Sequence, residues 1–332
     1  MIQGPYLVIP TRRGSVPNMT PSQAREILNP DERFISVSLF EAMDFSVPCK
    51  AAQMNYSKIC GLPDFQTILV NRSSFHGLHQ SAPSTTAGIS GECEKGRITI
   101  TVGMYKELVK VLQPNFAIAL TESVSLNEPQ PKKRKIAYCR TESWLDKIEA
   151  SHSELDCVLI KPFSVRGASG GFLDMICRNE NALELALSLK DVHQNIKVTS
   201  FCYGNSMVSV FAALTFNVSL IECPVPWLLA DKGVAITLSL GDVAVDTDDP
   251  EIDLNDECFS LDIRPLCPNC KCYTCQRHHR AYIHHLLTVQ EMNSTILLAI
   301  HNLYRLVEVF RYVRSLSLEK RREFLVALIK QY

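Results

Sequence analysis

The alternation of short apolar runs with helical patterns is the feature that most constrains the fold of this 332-residue sequence. One helical pattern spaces Tyr105, Leu108, Val109 and Leu112 by three, one and three residues, which puts them on one face of a helix. Several strand–helix units in succession predict a parallel sheet covered by helices. Periodicity alone does not distinguish an open doubly wound sheet from a closed barrel, so both stay open at this point.

The pattern divides the chain into three stretches. Residues 1–96 contain short strands and turns, and their last part, 72–96, is rich in Ser, Thr, Gly and Pro, which predicts a long exposed loop. Residues 97–264 carry the strand–helix units, and residues 265–332 are mostly helical. The middle stretch has predicted strands at 97–102, 116–120, 157–160, 171–176, 198–202, 218–222 and 233–240, predicted helices at 103–112, 180–190, 205–216 and around Trp144, and an acidic loop at 241–256.

Composition excludes several classes of protein. Hydrophobic residues make up 46% of the chain, which is enough to bury a large core. The net charge of −1 argues against a protein that holds nucleic acid through its overall charge. We find no secretion signal and no apolar run long enough to span a membrane. Thirteen cysteines without a signal peptide indicate a reducing compartment, with thiols that are buried or bind metal.

Four of these cysteines are clustered in the segment Cys267-Pro-Asn-Cys270-Lys-Cys272-Tyr-Thr-Cys275. Thiolates this close in sequence can surround one Zn²⁺, and a ligand from a helix can complete the tetrahedron. Such a site leaves no position for water, so it would be structural. Spacing leaves the remaining ligand open among Cys267, His278, His279, His284, His285 and His301.

The spacing Cys270-x-Cys272-x2-Cys275, followed after 25 residues by His301, resembles the zinc motif of the tRNA-guanine transglycosylases. The neighbouring segments Ala281-Tyr-Ile-His-His-Leu-Leu and Ile-His-Asn-Leu303 resemble the same family. The resemblance implies that Cys270, Cys272, Cys275 and His301 hold one structural Zn²⁺ per chain. It leaves Cys267 outside the ligand set, and it gives His284 and His285 a packing or supporting role.

The resemblance also implies a fold. Members of the family have a TIM-like (β/α)8 barrel with a short N-terminal β region and a zinc-binding insertion near the C-terminus. On that basis residues 1–96 hold the N-terminal strands and first barrel elements, residues 97–264 hold the central βα units, and residues 265–332 hold the zinc insertion and C-terminal helices. We expect these parts to form one integrated domain.

The family's catalytic motifs are degenerate here. The strand-end motif Asp-Ser-Gly-Gly-Phe-Gln, which supplies the acid/base, does not occur. Gly170 and Gly171 match the Gly-Gly-Leu motif that holds the base, and we interpret them as a remnant of the substrate pocket. In the nucleophile motif, Gly-Val-Asp-x-Phe-Asp-Cys-x-x-Pro-Thr-Arg, the nucleophilic Asp is replaced by Glu222, and Thr-Arg is replaced by Trp227 and Leu228.

This combination resembles the non-catalytic branch of the family. It implies a subunit that binds tRNA and stabilises a catalytic partner in a heterodimeric queuine tRNA-ribosyltransferase. That complex exchanges guanine for queuine at wobble position 34 of tRNAs with GUN anticodons. A homodimer is an alternative assembly. The alternative function is an active transglycosylase with Glu222 as nucleophile, and a zinc-finger nucleic-acid reader is a third class.

The sequence constrains the cellular location and the binding surfaces of the protein less tightly than it constrains the fold. We expect a cytoplasmic protein, with peripheral association with the mitochondrial outer membrane as an alternative. The basic run Lys132, Lys133, Arg134 and Lys135 can be read as a nuclear-import signal, a solvated loop or a contact for tRNA phosphates. A basic patch is expected from Lys271, Arg277, Arg280, Arg305, Arg311, Arg314, Lys320, Arg321 and Arg322. A partner surface is expected within 265–316, where the apolar candidates are Ile296, Leu297, Leu303, Leu306, Val309 and Phe310.

Overall fold

A computed structural model describes residues 4–76, 84–93, 96–122, 130–150, 155–161, 172–173, 199–215, 218–238, 240 and 249–332. Contacts divide the chain into two units, one formed by residues 1–14 and 33–223 and the other by residues 15–32 and 224–332. The described helices are α1 (Pro21–Ile27), α2 (Leu39–Ala52), α3 (Tyr56–Ile59), α4 (Val102–Leu112), α5 (Pro131–Glu149), α6 (Met207–Thr215), α7 (Val225–Asp231), α8 (Tyr273–Arg277), α9 (Arg280–Thr288), α10 (Asn293–Ser315) and α11 (Leu318–Gln331).

The first unit is built on a parallel sheet of eight strands, namely β1 (Tyr6–Pro10), β2 (Phe34–Ser38), β3 (Gln66–Val70), β6 (Phe116–Ile118), β7 (Val158–Ile160), β8 (Phe172–Leu173), β9 (Phe201–Tyr203) and β10 (Leu220–Glu222). Apart from β7 and β8, strands that follow one another in this series pair side by side, and the last strand, β10, pairs in parallel with the first, β1. Between β7 and β8 the described residues show no ladder. This cyclic order is that of a nearly closed (β/α)8 barrel, as the resemblance predicts.

The barrel interior is an apolar core made by alternate residues of its strands. Because side chains alternate along a strand, each strand contributes one set to the interior and the other set to the helices outside. The interior cluster comprises Val8, Phe34, Ile68, Val70, Phe116, Ile118, Ile160, Phe201, Tyr203 and Leu220. Each such buried side chain stabilises the fold by about 1.5–3 kcal/mol relative to exposure.

Side chains at the strand ends start the helices that follow. Ser38 accepts a hydrogen bond from the backbone N–H of Glu41 at the start of α2, and Thr101 does the same for Met104 at the start of α4. Thr101 ends an antiparallel hairpin that is separate from the barrel sheet and consists of β4 (Gly88–Cys93) and β5 (Gly96–Thr101).

The second unit is mostly helical. Its long helix, α10, packs against four helices, α1, α7, α8 and α9, and against the strand β11 (Val234–Ile236). The strands β11 (Val234–Ile236) and β12 (Glu251–Asp253) form an antiparallel pair. A network of ion pairs joins α10 to the turn after α1, since Glu32 is almost fully buried and receives hydrogen bonds from Arg311 and Arg314.

Three predictions from the sequence are wrong. Residues 72–96 are not one exposed loop, because 88–93 form the buried side of the hairpin. The predicted strand 233–240 contains β11, which pairs antiparallel with β12 and does not extend the parallel sheet. The first 70 residues contain helices as well as strands and turns, including the 14-residue α2. The predicted helix 180–190 lies outside the described residues.

Candidate metal centre and barrel mouth

Four predicted ligands converge in the second unit. The ligand atoms of Cys270, Cys272, Cys275 and His301 all lie within 4.8 Å of one another. The three Sγ atoms are 3.8, 3.4 and 3.3 Å from Nδ1 of His301. A tetrahedral ion with about 2.3 Å bonds to sulfur and about 2.1 Å bonds to nitrogen would separate those atoms by about 3.6 Å. The group can therefore hold one metal ion with little rearrangement.

His301 is oriented for this role by its other ring nitrogen. The side chain is fully buried on α10, and Nε2 lies 2.9 Å from the carbonyl oxygen of Ile236. A carbonyl can only accept, so Nε2 must carry the hydrogen and donate it. The lone pair is then on Nδ1, which faces the three thiols.

Asn302 holds the strand that supplies this carbonyl. Its Nδ2 donates to the carbonyl oxygens of Pro226 and Val234 at 3.2 and 3.0 Å. Its Oδ1 accepts from the backbone N–H of Ile236 at 2.9 Å. Two adjacent residues of α10 therefore bind the same strand. Asn302 fixes β11 in place, and His301 donates to the Ile236 carbonyl of that strand. Sequence analysis quoted Asn302 in the family segment but gave it no role.

The thiol segment is fixed by local hydrogen bonds. Cys272 caps α8, and its Sγ accepts from the backbone N–H of Cys275 at 3.3 Å. Thr274 Oγ1 donates to the carbonyl oxygen of Leu297 at 2.6 Å, which ties α8 to α10. Hydrogen bonds from the Cys270 and Cys272 thiols hold the pKa of Cys275 well below its usual range. A thiolate is the form of cysteine that binds metal.

A buried arginine fixes the approach to the cysteines. Arg280 is fully buried, and its guanidinium donates to the carbonyl oxygens of Pro265 and Leu266, both at 3.0 Å. It also contacts the carboxylate of Asp262 at 3.2 Å. A hydrogen bond from Arg264, followed by that from Arg280, holds the pKa of Asp262 well below its ordinary value.

The other candidate ligands lie outside the group of four. Cys267 Sγ is 3.8 Å from Nε2 of His301, whereas the other three thiols approach Nδ1. His284 is buried and its Nδ1 is 2.8 Å from the carbonyl oxygen of Leu254. His285 is exposed, so the packing role predicted for it is wrong.

Glu222 lies inside the barrel, at its carboxyl end. It is two residues after Leu220, an interior residue, so alternation points both side chains inward. Glu222 is 0% exposed, and neither carboxylate oxygen has a well-aligned hydrogen-bond partner among the described residues. Burial raises the pKa of Glu222 to about 7, the nearby Ser74 and Ser36 lower it, and Glu41 raises it.

More buried polar atoms lie at this end of the barrel, which we call the barrel mouth. Glu41 follows β2, Asn71 and Ser74 follow β3, and Asn205 follows β9; one side-chain oxygen of each has no hydrogen-bond partner among the described residues. Burial raises the pKa of Glu41 to about 7, against the opposing effect of nearby arginines. Barrels of this kind bind ligands at the carboxyl ends of their strands.

Asn71 was missed by sequence analysis. The segment Asn71-Arg72-Ser73-Ser74-Phe75-His76 begins where β3 ends, and Phe75 occupies the same position as phenylalanine in Asp-Ser-Gly-Gly-Phe-Gln. Asn71 therefore stands where the motif has its acidic residue. The apolar strand immediately before it is the signal that could have located it.

Two further predictions concern residues elsewhere. Gly170 and Gly171, the predicted pocket remnant, lie outside the described residues.

The basic patch does not form as the sequence predicts, because most of its residues bind groups of their own unit. Internal partners are bound by Arg280 (Pro265 and Leu266), Arg305 (Leu238 and Glu308), Arg311 and Arg314 (Glu32), and Arg321 (Val313).

The expected partner surface also needs correction. Leu297, Leu303, Leu306, Val309 and Phe310 are buried in their own unit. The exposed large apolar side chains of this unit lie in turns and on short helices, and include Leu261, Ile263, Tyr273, Tyr282, Val289 and Met292. Within the described part of the chain, no helix combines the length and apolarity that a membrane span requires.

Together these features define a class of protein, an α/β barrel chain with a Cys₃His group near its C-terminus that could hold one metal ion. Comparison with known proteins narrows that class. Residues 206–327 match the protein family described as "TGT: Queuine tRNA-ribosyltransferase".

Similarity to individual proteins extends along most of the chain. It is 23% identical to a protein of Anopheles gambiae over 94% of this chain and 80% of the relative. It is 25% identical to one of Schizosaccharomyces pombe over 95% and 75%, and 24% identical to one of Trichoplax adhaerens over 95% and 89%. All three are named "Queuine tRNA-ribosyltransferase accessory subunit 2". The resemblance first identified in the zinc motif is thereby confirmed.

Proposed function

We propose that this chain is a non-catalytic accessory subunit of a heterodimeric queuine tRNA-ribosyltransferase. The observation that carries the proposal is the combination of a (β/α)8 barrel and a Cys₃His group in a chain that matches accessory subunits over 94% of its length. In this role the chain helps to hold a tRNA with a GUN anticodon while a catalytic partner exchanges guanine at position 34. The twelve cysteines of the described residues form no disulfide, which suits the reducing cytoplasm, where we place the complex.

The metal in this proposal is zinc. Three thiolates and one imidazole in tetrahedral reach are a donor set that zinc prefers over magnesium or calcium. Four protein ligands leave no open position, so the ion would stabilise the second unit and would not activate water. Cys270, Cys272, Cys275 and His301 are the proposed ligands.

The barrel mouth supports the absence of catalysis. Glycosyl exchange with two carboxyl groups needs an ionised nucleophile and an acid/base. Glu222 has a pKa of about 7, so a large fraction of it is protonated at neutral pH. Asn71 carries an amide, which cannot exchange a proton as an acid/base near neutral pH. Neither position is suited to the chemistry of the active family.

A second candidate function is an active transglycosylase with Glu222 as nucleophile. The observation in its favour is Glu41, a second carboxyl group close enough to raise the pKa of Glu222. In that case Glu41 would act as acid/base. Base exchange by the purified chain, lost in both Glu222→Gln and Glu41→Gln, would establish this alternative.

We propose that the partner docks on the second unit. Leu261 is 88% exposed and Ile263 is 80% exposed, on either side of the anchored Asp262, and Met292 is 79% exposed. Exposed apolar side chains on a well-held backbone are typical of protein interfaces. A second copy of this chain is the alternative occupant.

The proposal is tested by co-purification with the catalytic paralogue. The wild-type chain should form a stable 1:1 complex, and Leu261→Asp with Ile263→Asp should weaken it. The matched control is Val47→Asp with Met54→Asp, which places the same charges on exposed apolar residues of the first unit. Failure of the wild-type chain to bind the paralogue would contradict the proposed function. Equal binding by both variants would place the interface elsewhere.

A further inference from the structure

The helix α5 begins with a cluster of cations. Its sequence starts Pro131-Lys132-Lys133-Arg134-Lys135, and the three lysines are exposed. The run is therefore helical, and the prediction that it lies in a loop is wrong. The side chains of Lys132, Lys133 and Lys135 therefore project around the start of a helix, instead of alternating along an extended strand.

These cations oppose the field of their own helix. The amino end of a helix carries partial positive charge, so cations there are destabilising and acidic residues are favoured. The first turn of α5 contains no acidic residue, and Gln130 supplies no capping hydrogen bond from its side chain. Within the first turn of α5, no acidic side chain offsets these positive charges. An external anion would relieve the repulsion.

The connections of the barrel place this cluster at the barrel mouth. Strand β6 ends at Ile118, and the next strand, β7, runs parallel to it, so the chain between them must return to the opposite end of the barrel. That return is made by α5. Its amino end is consequently on the side of the carboxyl ends of the strands, which is the mouth.

The start of α5 extends past the strand ends. Glu122 is four residues beyond the end of β6. Its backbone N–H donates to Thr141 Oγ1 at 3.1 Å, and its carboxylate accepts from Arg140 at 3.0 Å. Residues 140–141 are therefore already level with the loop at the mouth. The preceding part of the helix rises about 1.5 Å per residue, so it projects roughly 14 Å further.

Neighbouring side chains suit a nucleic acid. Tyr138 is 50% exposed and lies one turn from Lys135, where its ring is available for stacking against a base. Arg12 and Arg13 are exposed after the end of β1, at the same end of the barrel. A chain with net charge −1 gains no general attraction to a polyanion, so phosphate contacts must come from such local groups.

We propose that the amino-terminal turns of α5, with the exposed Lys132 and Lys135, bind the phosphodiester backbone of the RNA. The inference rests on the proposed function for the identity of that RNA, a tRNA. Phosphate contacts fix position without reading sequence. The lysines at the amino end of α5 would thus position the tRNA on the assembled complex, and the catalytic partner would recognise the base.

The test uses the complex of this chain with its catalytic paralogue and an unmodified tRNA with a GUN anticodon. Binding is followed by fluorescence anisotropy over a range of salt concentrations. The variant is Lys132→Ala with Lys135→Ala, and the matched control is Lys58→Ala with Lys330→Ala, which removes two exposed lysines elsewhere. Both carry the same change of net charge.

The expected result is a loss of affinity of about tenfold or more at roughly 0.1 M salt in the variant, with little change in the control. The magnitude of the slope of log K against log salt should decrease by about 1.4–1.8, because each of the two phosphate contacts contributes about 0.7–0.9. The melting temperature of the variant should equal or exceed that of the wild type, because the removed positive charges are repelled by the positive end of the helix dipole.

The outcomes separate this inference from the proposed function. If the wild-type chain adds nothing to the tRNA affinity of the paralogue, the tRNA-binding role in the proposed function fails, and this inference fails with it. If the wild-type contribution is present but unchanged in the variant, only the inference is overturned. A change confined to nuclear accumulation, with RNA binding intact, would also overturn it and would identify the run as an import signal.

Discussion

His301 Nε2 and the carbonyl oxygen of Ile236 lie 2.9 Å apart, and this contact decides which ring nitrogen faces the thiols. Because Nε2 donates there, Nδ1 is left with its lone pair towards Cys270, Cys272 and Cys275. The metal site thus depends on a strand that contributes no side chain to it.

Asn302→Ala should therefore weaken metal binding without removing a ligand. The substitution leaves the Ile236 N–H and two carbonyl groups without their present partners, so β11 is free to shift. Loss of such supporting groups typically costs about 10–100-fold in metal affinity. Competition with a chromogenic chelator measures it. Asn293→Ala, at the exposed start of α10, is the control and should bind as wild type does.

Ligand substitutions should remove the metal altogether. We expect Cys272→Ser and His301→Ala to purify with little zinc, and Cys267→Ala to retain about one ion per chain. Zinc binding supplies about 10–16 kcal/mol in small peptides, so its loss should loosen at least residues 265–316. Elemental analysis and hydrogen exchange measure the two effects. Full zinc content in His301→Ala, or its loss in Cys267→Ala, would show that the ligand set is wrong.

The pH dependence of stability should report on Glu222. Its pKa is about 7 in the folded chain against an ordinary value of 4.5, mainly because it is buried. The folded state binds this proton more tightly than the unfolded state. The resulting stability is fully present below about pH 4.5 and is lost as pH rises to about 7, by about 3 kcal/mol in all.

Glu222→Gln should remove this dependence. The variant should be more stable than the wild type at pH 8, by up to about 3 kcal/mol, and similar to it near pH 4.5. Glu41 also titrates near 7 beside it, so part of the slope should persist. Urea unfolding at several pH values measures this, with the exposed Glu319→Gln as control. A variant that is less stable than the wild type at pH 8 would mean that an ionised Glu222 is bound by a partner.

Much of the fold could be predicted from the sequence, and the failures have physical causes. The helix α4 was found because its buried residues recur at helical spacing. The helix α2 was missed because its apolar residues lie all around it and Pro48 interrupts the pattern. Strand β11 resembles a barrel strand because a run of three apolar residues, two of them buried, has the same pattern whether its neighbouring strand is parallel or antiparallel.

The candidate metal site could likewise be predicted only in part from the sequence. Ligands within a few residues of one another, such as Cys270 and Cys272, are visible as spacing, whereas Ile236 is 65 residues from His301 and offers only a backbone carbonyl. No residue type marks such a contact. Similarly, Asn71 can be aligned with the first residue of the Asp-Ser-Gly-Gly-Phe-Gln motif only when β3 is known to end immediately before it.

Base exchange tests the central claim most directly. Incorporation of labelled guanine into tRNA is measured for this chain alone, the catalytic paralogue alone, the two together, and the two together with Glu222→Gln in this chain. The account predicts no exchange by this chain alone, a clear increase over the paralogue when both are present, and no loss in the Glu222→Gln complex. Exchange by this chain alone that Glu222→Gln abolishes would contradict it and would make this chain a transglycosylase in its own right.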